Sequence, residues 1–283
     1  MRARAQSHIV FVILLACCGW AFALDQSLDI NQYAHTAWKV RDGFSKGVIT
    51  SLAQTPDGYL WVGTESGLLR FDGVRSVLWQ PPSGQQLPGT LITCLLAARD
   101  GTLWIGTFSG LASLKAGEFR QVPELSGQSI TSLFEERDGT VSMGVYAAES
   151  GGGLCDIRSG AVHCERDKQM FGSGVMALYE DSKGTLWLGL RNGLYRWGPG
   201  SPQFFSIPED PFGVTGFAED EEGRLLFGSY AGLRRLVNGH VEPYPSGASL
   251  YHCHIVRMFR DHDGGHAGIG RNEFSSKTDR RFF

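Results

Sequence analysis

Cys155 and Cys164 flank the segment Asp156–His163, and a two-residue turn at Ser159-Gly160 would fold that segment into a hairpin. The turn pairs Arg158 with Ala161, Ile157 with Val162, Asp156 with His163 and Cys155 with Cys164. Counting outward places the cysteines at a non-hydrogen-bonded pair, where Cα atoms lie about 4.5 Å apart. That is the short end of disulfide geometry. The spacing predicts a structural disulfide; the competing state is two buried free thiols. A second cluster, His252-Cys253-His254 with His262 and His266, invites a metal reading, because His252 and His254 project to one strand face. The spacing fixes no third ligand, so these residues read as polar groups at a strand entrance and no metal site is assigned. Carboxylates gather at Glu135-Glu136, Glu180-Asp181 and Glu219-Asp220-Glu221-Glu222. Glycoside hydrolysis would need two of them facing one pocket. They recur instead at one place ahead of a strand, which predicts solvated turns. With no G-x-S-x-G elbow or other nucleophile with a placed base, no catalytic residue and no cofactor are assigned.

The chain holds 29 acidic and 26 basic residues, a net charge of -3, with no long basic run, which gives no electrostatic footprint for nucleic acid. Thirty-eight glycines and a charged fraction of only 19% suit many short strands and tight turns. Residues 1–23 read as a signal peptide: Arg2 and Arg4, the apolar run Ile9–Ala16, then Ala21-Phe22-Ala23 as a small-x-small cleavage site, so that the mature chain begins at Leu24. Leu14-Leu15-Ala16 before Cys17 is the alternative, a lipoprotein anchor, which bulky Leu15 disfavours. Cysteines beyond the signal would then meet an oxidising compartment.

The elements that must position these groups come from a repeat. Segments 49–71, 92–114 and 175–197 align without a gap (ITSLAQTPDGYLWVGTESGLLRF, ITCLLAARDGTLWIGTFSGLASL, VMALYEDSKGTLWLGLRNGLYRW). Segment 130–144 is a fourth copy with Ser142 in place of Trp, 214–236 a fifth with Leu226, and 255–265 begins a sixth. The turn glycines Gly58, Gly101, Gly139, Gly184, Gly223 and Gly264 are spaced 38 to 45 residues apart. Such periods, with apolar residues alternating at period two, predict an all-β propeller of four-stranded antiparallel blades. Blade cores fall near 49–79, 92–121, 130–164, 175–205 and 214–243, with a partial blade at 255–270, inside a repeat domain of 24–270. Trp61, Trp104 and Trp187 share one repeat position and read as packing between blades; a ring of aromatics gripping sugar is the alternative. The glycine two residues on (Gly63, Gly106, Gly189) reads as a site of close approach. Pro81–Pro88 and Tyr146–Gly153 are the longer inter-blade loops, where propellers bind ligands.

The run of hydrophobic strand, D-G, x-L-W-x-G-T and x-x-G-L resembles the two-component regulator propeller repeat from about Gln32 to Gly265. Tyr33–Phe44 resembles the opening of such sensors, which in that family closes the propeller circle. The resemblance implies the periplasmic sensor region of a receptor whose membrane helix and output domain, commonly a histidine kinase, are not in this sequence. It also implies a small-molecule or carbohydrate-related ligand, with the remaining propeller and membrane parts of a longer receptor as partners. Residues 271–283 match no strand of the repeat, which predicts a truncated or frameshifted fragment. The alternatives are a secreted propeller lyase or glycosidase and a non-functional fragment.

Overall fold

The computed structural model describes residues 47–271 except 83, 148–150, 199–200, 208–212, 221, 231, 245–253 and 261–265. The readings of the signal segment, Cys17, Tyr33–Phe44, His252, Cys253, His262 and the 272–283 tail lie outside the described residues, and His254 begins a described strand whose side chains are not described. His266 lies within a described strand whose side chains are not described.

Five four-stranded antiparallel sheets follow one another, each in the order in which its strands leave the ribosome. The first holds β1 (Ile49–Gln54), β2 (Leu60–Thr64), β3 (Gly67–Phe71) and β4 (Ser76–Leu78). The second holds β5 (Ile92–Ala97), β6 (Leu103–Thr107), β7 (Gly110–Lys115) and β8 (Glu118–Gln121). The third holds β9 (Ser129–Glu135), β10 (Val141–Tyr146), β11 (Gly153–Arg158) and β12 (Ala161–Glu165). After a one-turn helix, α1 (Lys168–Phe171), the fourth holds β13 (Ala177–Glu180), β14 (Leu186–Leu190), β15 (Gly193–Trp197) and β16 (Gln203–Ser206). The fifth holds β17 (Gly216–Glu219), β18 (Leu225–Ser229), β19 (Gly232–Val237) and β20 (His240–Pro243), and a two-stranded pair, β21 (His254–Arg260) and β22 (His266–Arg271), comes last. These are propeller blades, and among the described residues the ring they form is not closed.

Turn chemistry explains the hairpins. The β7–β8, β11–β12 and β19–β20 turns place Ala116-Gly117, Ser159-Gly160 and Asn238-Gly239 at positive φ in both positions, the primed turn whose twist matches that of the flanking strands. In the Asp-Gly turns ahead of β6 and β10, Asp100 and Asp138 accept the backbone N–H two residues on.

The core lies between sheets. Trp61 and Leu68 of the first sheet pack on Ile92, Leu95, Leu103 and Ile105 of the second, and this pattern repeats down the row. At Gly63 an added Cβ would come within 2.7 Å of the Ile92 side chain, and at Gly189 within 2.9 Å of Val214. The glycine after each Trp position therefore admits the first strand of the next sheet. A hydroxyl fastens the same seam. Thr50, Thr93 and Thr131 donate to the backbone carbonyls of Ile92, Ile130 and Val175 in the following sheet, at 2.6, 2.5 and 2.5 Å.

Most described members of the acidic clusters are not solvated, which corrects the sequence reading, and Glu222 alone of those in ion pairs is largely exposed. Glu219, Asp220 and Asp181 are buried, at 2%, 5% and 8% exposure. Glu135 and Glu180 take part in clamps between sheets: Arg99 of the second sheet ion-pairs with Glu135 of the third at 3.1 Å, and Arg137 of the third with Glu180 of the fourth at 3.1 Å. The backbone N–H groups of Arg99 and Arg137 donate to the same carboxylates. In the next copy Ser182 takes the arginine's place and donates to Glu219 through its N–H and its hydroxyl, at 2.7 and 2.8 Å. Burying a carboxylate is tolerated here because each one collects charge-assisted hydrogen bonds: Glu135, Glu180 and Glu219 from the preceding sheet, Asp181 and Asp220 from their own turns. Burial pushes the Asp220 carboxyl up, but the Arg224 N–H and guanidinium outweigh it and hold the group below its ordinary value.

Candidate functional site

A groove of about 520 Å³ opens between the first and second sheets, at the end where the Asp-Gly turns lie. Its floor is Trp61, only 4% exposed, whose indole N–H donates to Thr55 Oγ1 at 3.0 Å. Thr55 in turn donates to Asp57 Oδ1 at 2.5 Å, so the indole is held by the turn that precedes its own strand. Trp79, at the end of the first sheet, meets Trp61 edge to face with ring centroids 5.9 Å apart, and leans on Phe119 of the second sheet at 5.7 Å. The indole of Trp79 is thus fixed yet half-buried, with ring surface facing the groove.

Charge frames this apolar floor. Arg70 lies one strand over from Trp61, its guanidinium 4.5 Å above the Tyr59 ring. Across the groove Lys115 pairs with Asp100 at 2.5 Å. That ammonium, helped by the Thr102 N–H, holds the Asp100 carboxyl down to about 2 against the cost of partial burial. Gln80 and Pro82 complete the rim, so the beginning of the 81–88 loop reaches the groove. Gln121 of β8 donates to the Gln86 carbonyl at 2.7 Å and ties that loop to the second sheet. An aromatic floor with carboxylates, an amide and cations at its rim can stack on an apolar ring face while hydrogen-bonding its substituents.

The repeat places the other residues singled out from sequence elsewhere. Trp187, 6% exposed, donates to Asp181 Oδ2 at 2.9 Å and packs with Phe205 between the fourth and fifth sheets. Trp104 is half-buried against the third sheet, and the position that supplies Thr55 and Asp181 is Ala98 there. A disulfide joins Cys155 to Cys164, with Cα atoms 4.0 Å apart, across the β11–β12 pair. The ends of the 146–153 loop are held against residues 172–174 through Ala147 N–H to Ser173 and Gly152 N–H to Gly172, and 148–150 lie outside the described residues. Sequence reasoning missed Trp79 and Arg70. The only signal for Arg70 was its register opposite Trp61, and Trp79 lies outside the three-strand core of the alignment.

Among the described residues no helix is long and apolar enough to cross a membrane. No curated protein matches the sequence. Structures of similar fold include the extracellular domain of a B. thetaiotaomicron signalling system, described in one structure as one component and in another as hybrid two component. In the first of these the TM-score is 0.57 at 17% identity, over 79% of this chain and 37% of that one. The second gives 0.53 at 19%, over 80% and 37%. The chain therefore spans little more than a third of these proteins. A catalytically inactive virginiamycin B lyase from Staphylococcus aureus, solved with quinupristin, has a TM-score of 0.60 at 13% identity, over 78% of this chain and 77% of that chain. At such identities the likeness is one of fold. Residues 43–66, 86–109 and 169–192 match the family model described as two component regulator propeller. Those matches carry the β1–β2, β5–β6 and β13–β14 hairpins, so these three segments are two component regulator propeller repeats, and the third and fifth sheets repeat their strand register.

Proposed function

We propose that this chain is the ligand-sensing propeller of an exported signal-transduction receptor, and that the groove over Trp61 and Trp79 is where the ligand is read. The observation that carries the site is Trp79: a large ring, positioned by two aromatic neighbours, left half-buried beside Asp57, Asp100 and Gln80. This chemistry suits a carbohydrate-related ligand, whose C–H face stacks on an indole while its hydroxyls meet carboxylates and amides. The family match and the signalling-system fold support the receptor reading. Membrane and output parts of a longer protein would then be its partners, and the periplasm its compartment.

Calorimetric titration of the full chain with a panel of neutral mono- and oligosaccharides tests the site. One saturable site is expected for at least one sugar, weakened about tenfold or more by Trp79→Ala. A panel that leaves no heat, or a variant that binds as tightly as the parent, rejects the groove as the ligand site.

A further inference from the structure

The same groove recurs between the third and fourth sheets with its floor removed. Ser142 stands where Trp61 stands, Glu136 where Thr55 stands, Asp156 where Arg70 stands, and Leu186 where Leu103 stands. The groove measures about 380 Å³, within the range of roughly 300–1,000 Å³ typical of small-molecule sites. Phe134 pairs with Ser142 and packs into this junction without filling the groove. The opposite wall carries Trp197, where the first groove has Leu114.

The acceptor has outlasted its donor. In the first and fourth sheets the residue six before the Trp accepts the indole N–H: Thr55 from Trp61 and Asp181 from Trp187. In the third sheet that residue is Glu136, and among the described residues its carboxylate takes the short hydroxyl of Ser142, at 2.5 Å. In the fifth sheet, where Leu226 fills the Trp position at 1% exposure, the corresponding Asp220 is instead engaged by Arg224 at 2.6 Å. In the third sheet a buried small side chain coincides with a groove, a retained carboxylate and an indole on the facing wall.

We propose that this groove is a second binding site, for a planar two-ring heteroaromatic molecule that carries a ring N–H. The ring takes the place of the absent indole, lies against Trp197 and Leu154, and donates its N–H to Glu136. Asp156 and Glu165 at the rim favour a hydrogen-bond donor over an anion, with Arg158 already paired to Asp156 at 2.8 Å. The site differs from the sugar groove in chemistry and place, so either can fail without the other.

Saturation-transfer NMR and calorimetry of the full chain with indole test the proposal. A dissociation constant on the order of 0.1–1 mM is expected for so small a ligand. N-methylindole, which has no N–H, should bind about tenfold more weakly, one hydrogen bond to a carboxylate. Ser142→Trp restores the repeat's own floor and should abolish binding; Ser142→Leu, the choice made by the fifth sheet, keeps the test available if the Trp variant does not fold. The proposal is overturned if indole does not bind, if both variants bind it unchanged, or if N-methylindole binds as well as indole.

Discussion

The grooves on either side of the second-to-third sheet junction come from one backbone plan and diverge in three side chains. Over the first sheet the Trp position is filled, its partner is a neutral hydroxyl, and the residue beside it is Arg70. Over the third the same three places hold Ser142, Glu136 and Asp156. The strand pairings and the glycine that admits the next sheet are the same in both. Repeat register thus fixes where a groove can form, and the Trp position with its partner six residues earlier decides whether it is filled, and with what charge.

The strongest way to break this comparison is to make the first groove resemble the second. Trp61→Ser removes a buried indole and should cost about 3–4 kcal/mol, read from urea unfolding. Added indole should recover part of that loss. A cost below about 1 kcal/mol would mean the Trp is not the floor of the junction. Next in size is the disulfide, which borders the second groove alone. Reducing Cys155–Cys164 opens the short loop that the bond closes in the unfolded chain and should remove about 2–3 kcal/mol. It should also perturb indole binding more than sugar binding, and equal effects on both would show the grooves to be coupled. Smaller again is the Arg137–Glu180 clamp between the third and fourth sheets. Glu180→Ala strips two donors of their acceptor, but Arg137 is largely solvated, so about 1 kcal/mol is expected by the same unfolding assay.

The smallest effect concerns Asp100 in the first groove. Its carboxyl titrates at about 2 when folded, below the ordinary 3.8, chiefly because Lys115 pairs with it. A lowered folded value means the stabilisation is complete above about pH 4 and fades as the pH falls towards 2. Asp100→Asn should flatten the acid limb of a stability-against-pH curve slightly between those values. An unchanged limb would show the pair to be solvent-screened to nothing.

The alternation, the Asp-Gly turns and the Trp-x-Gly step were legible because each is local: strand period and positive φ act over a few residues. The acidic clusters misled for the opposite reason. Whether Glu135 or Glu180 is solvated depends on an arginine 36 or 43 residues earlier, brought to it only by the stacking of sheets. The loss of Trp at Ser142 was visible in the alignment, but not its consequence. The groove exists only because β10, β11 and β12 set Ser142, Asp156 and His163 side by side in one row. Trp79 lay in a short fourth-strand region with little repeat signal.

The threonine hydroxyls of β1, β5 and β9 reach a main-chain carbonyl of the following sheet and not a side chain. Every residue offers that acceptor, so the fastening works whichever repeat comes next. A gene segment encoding one of these three threonine-bearing repeats could be duplicated or exchanged and would still be fastened to a new neighbour. The arginine–glutamate clamps lack this indifference, since each needs a matching partner in the adjoining copy. Exchange of such repeats would therefore be permitted by the threonine hydroxyls and restricted by the clamps.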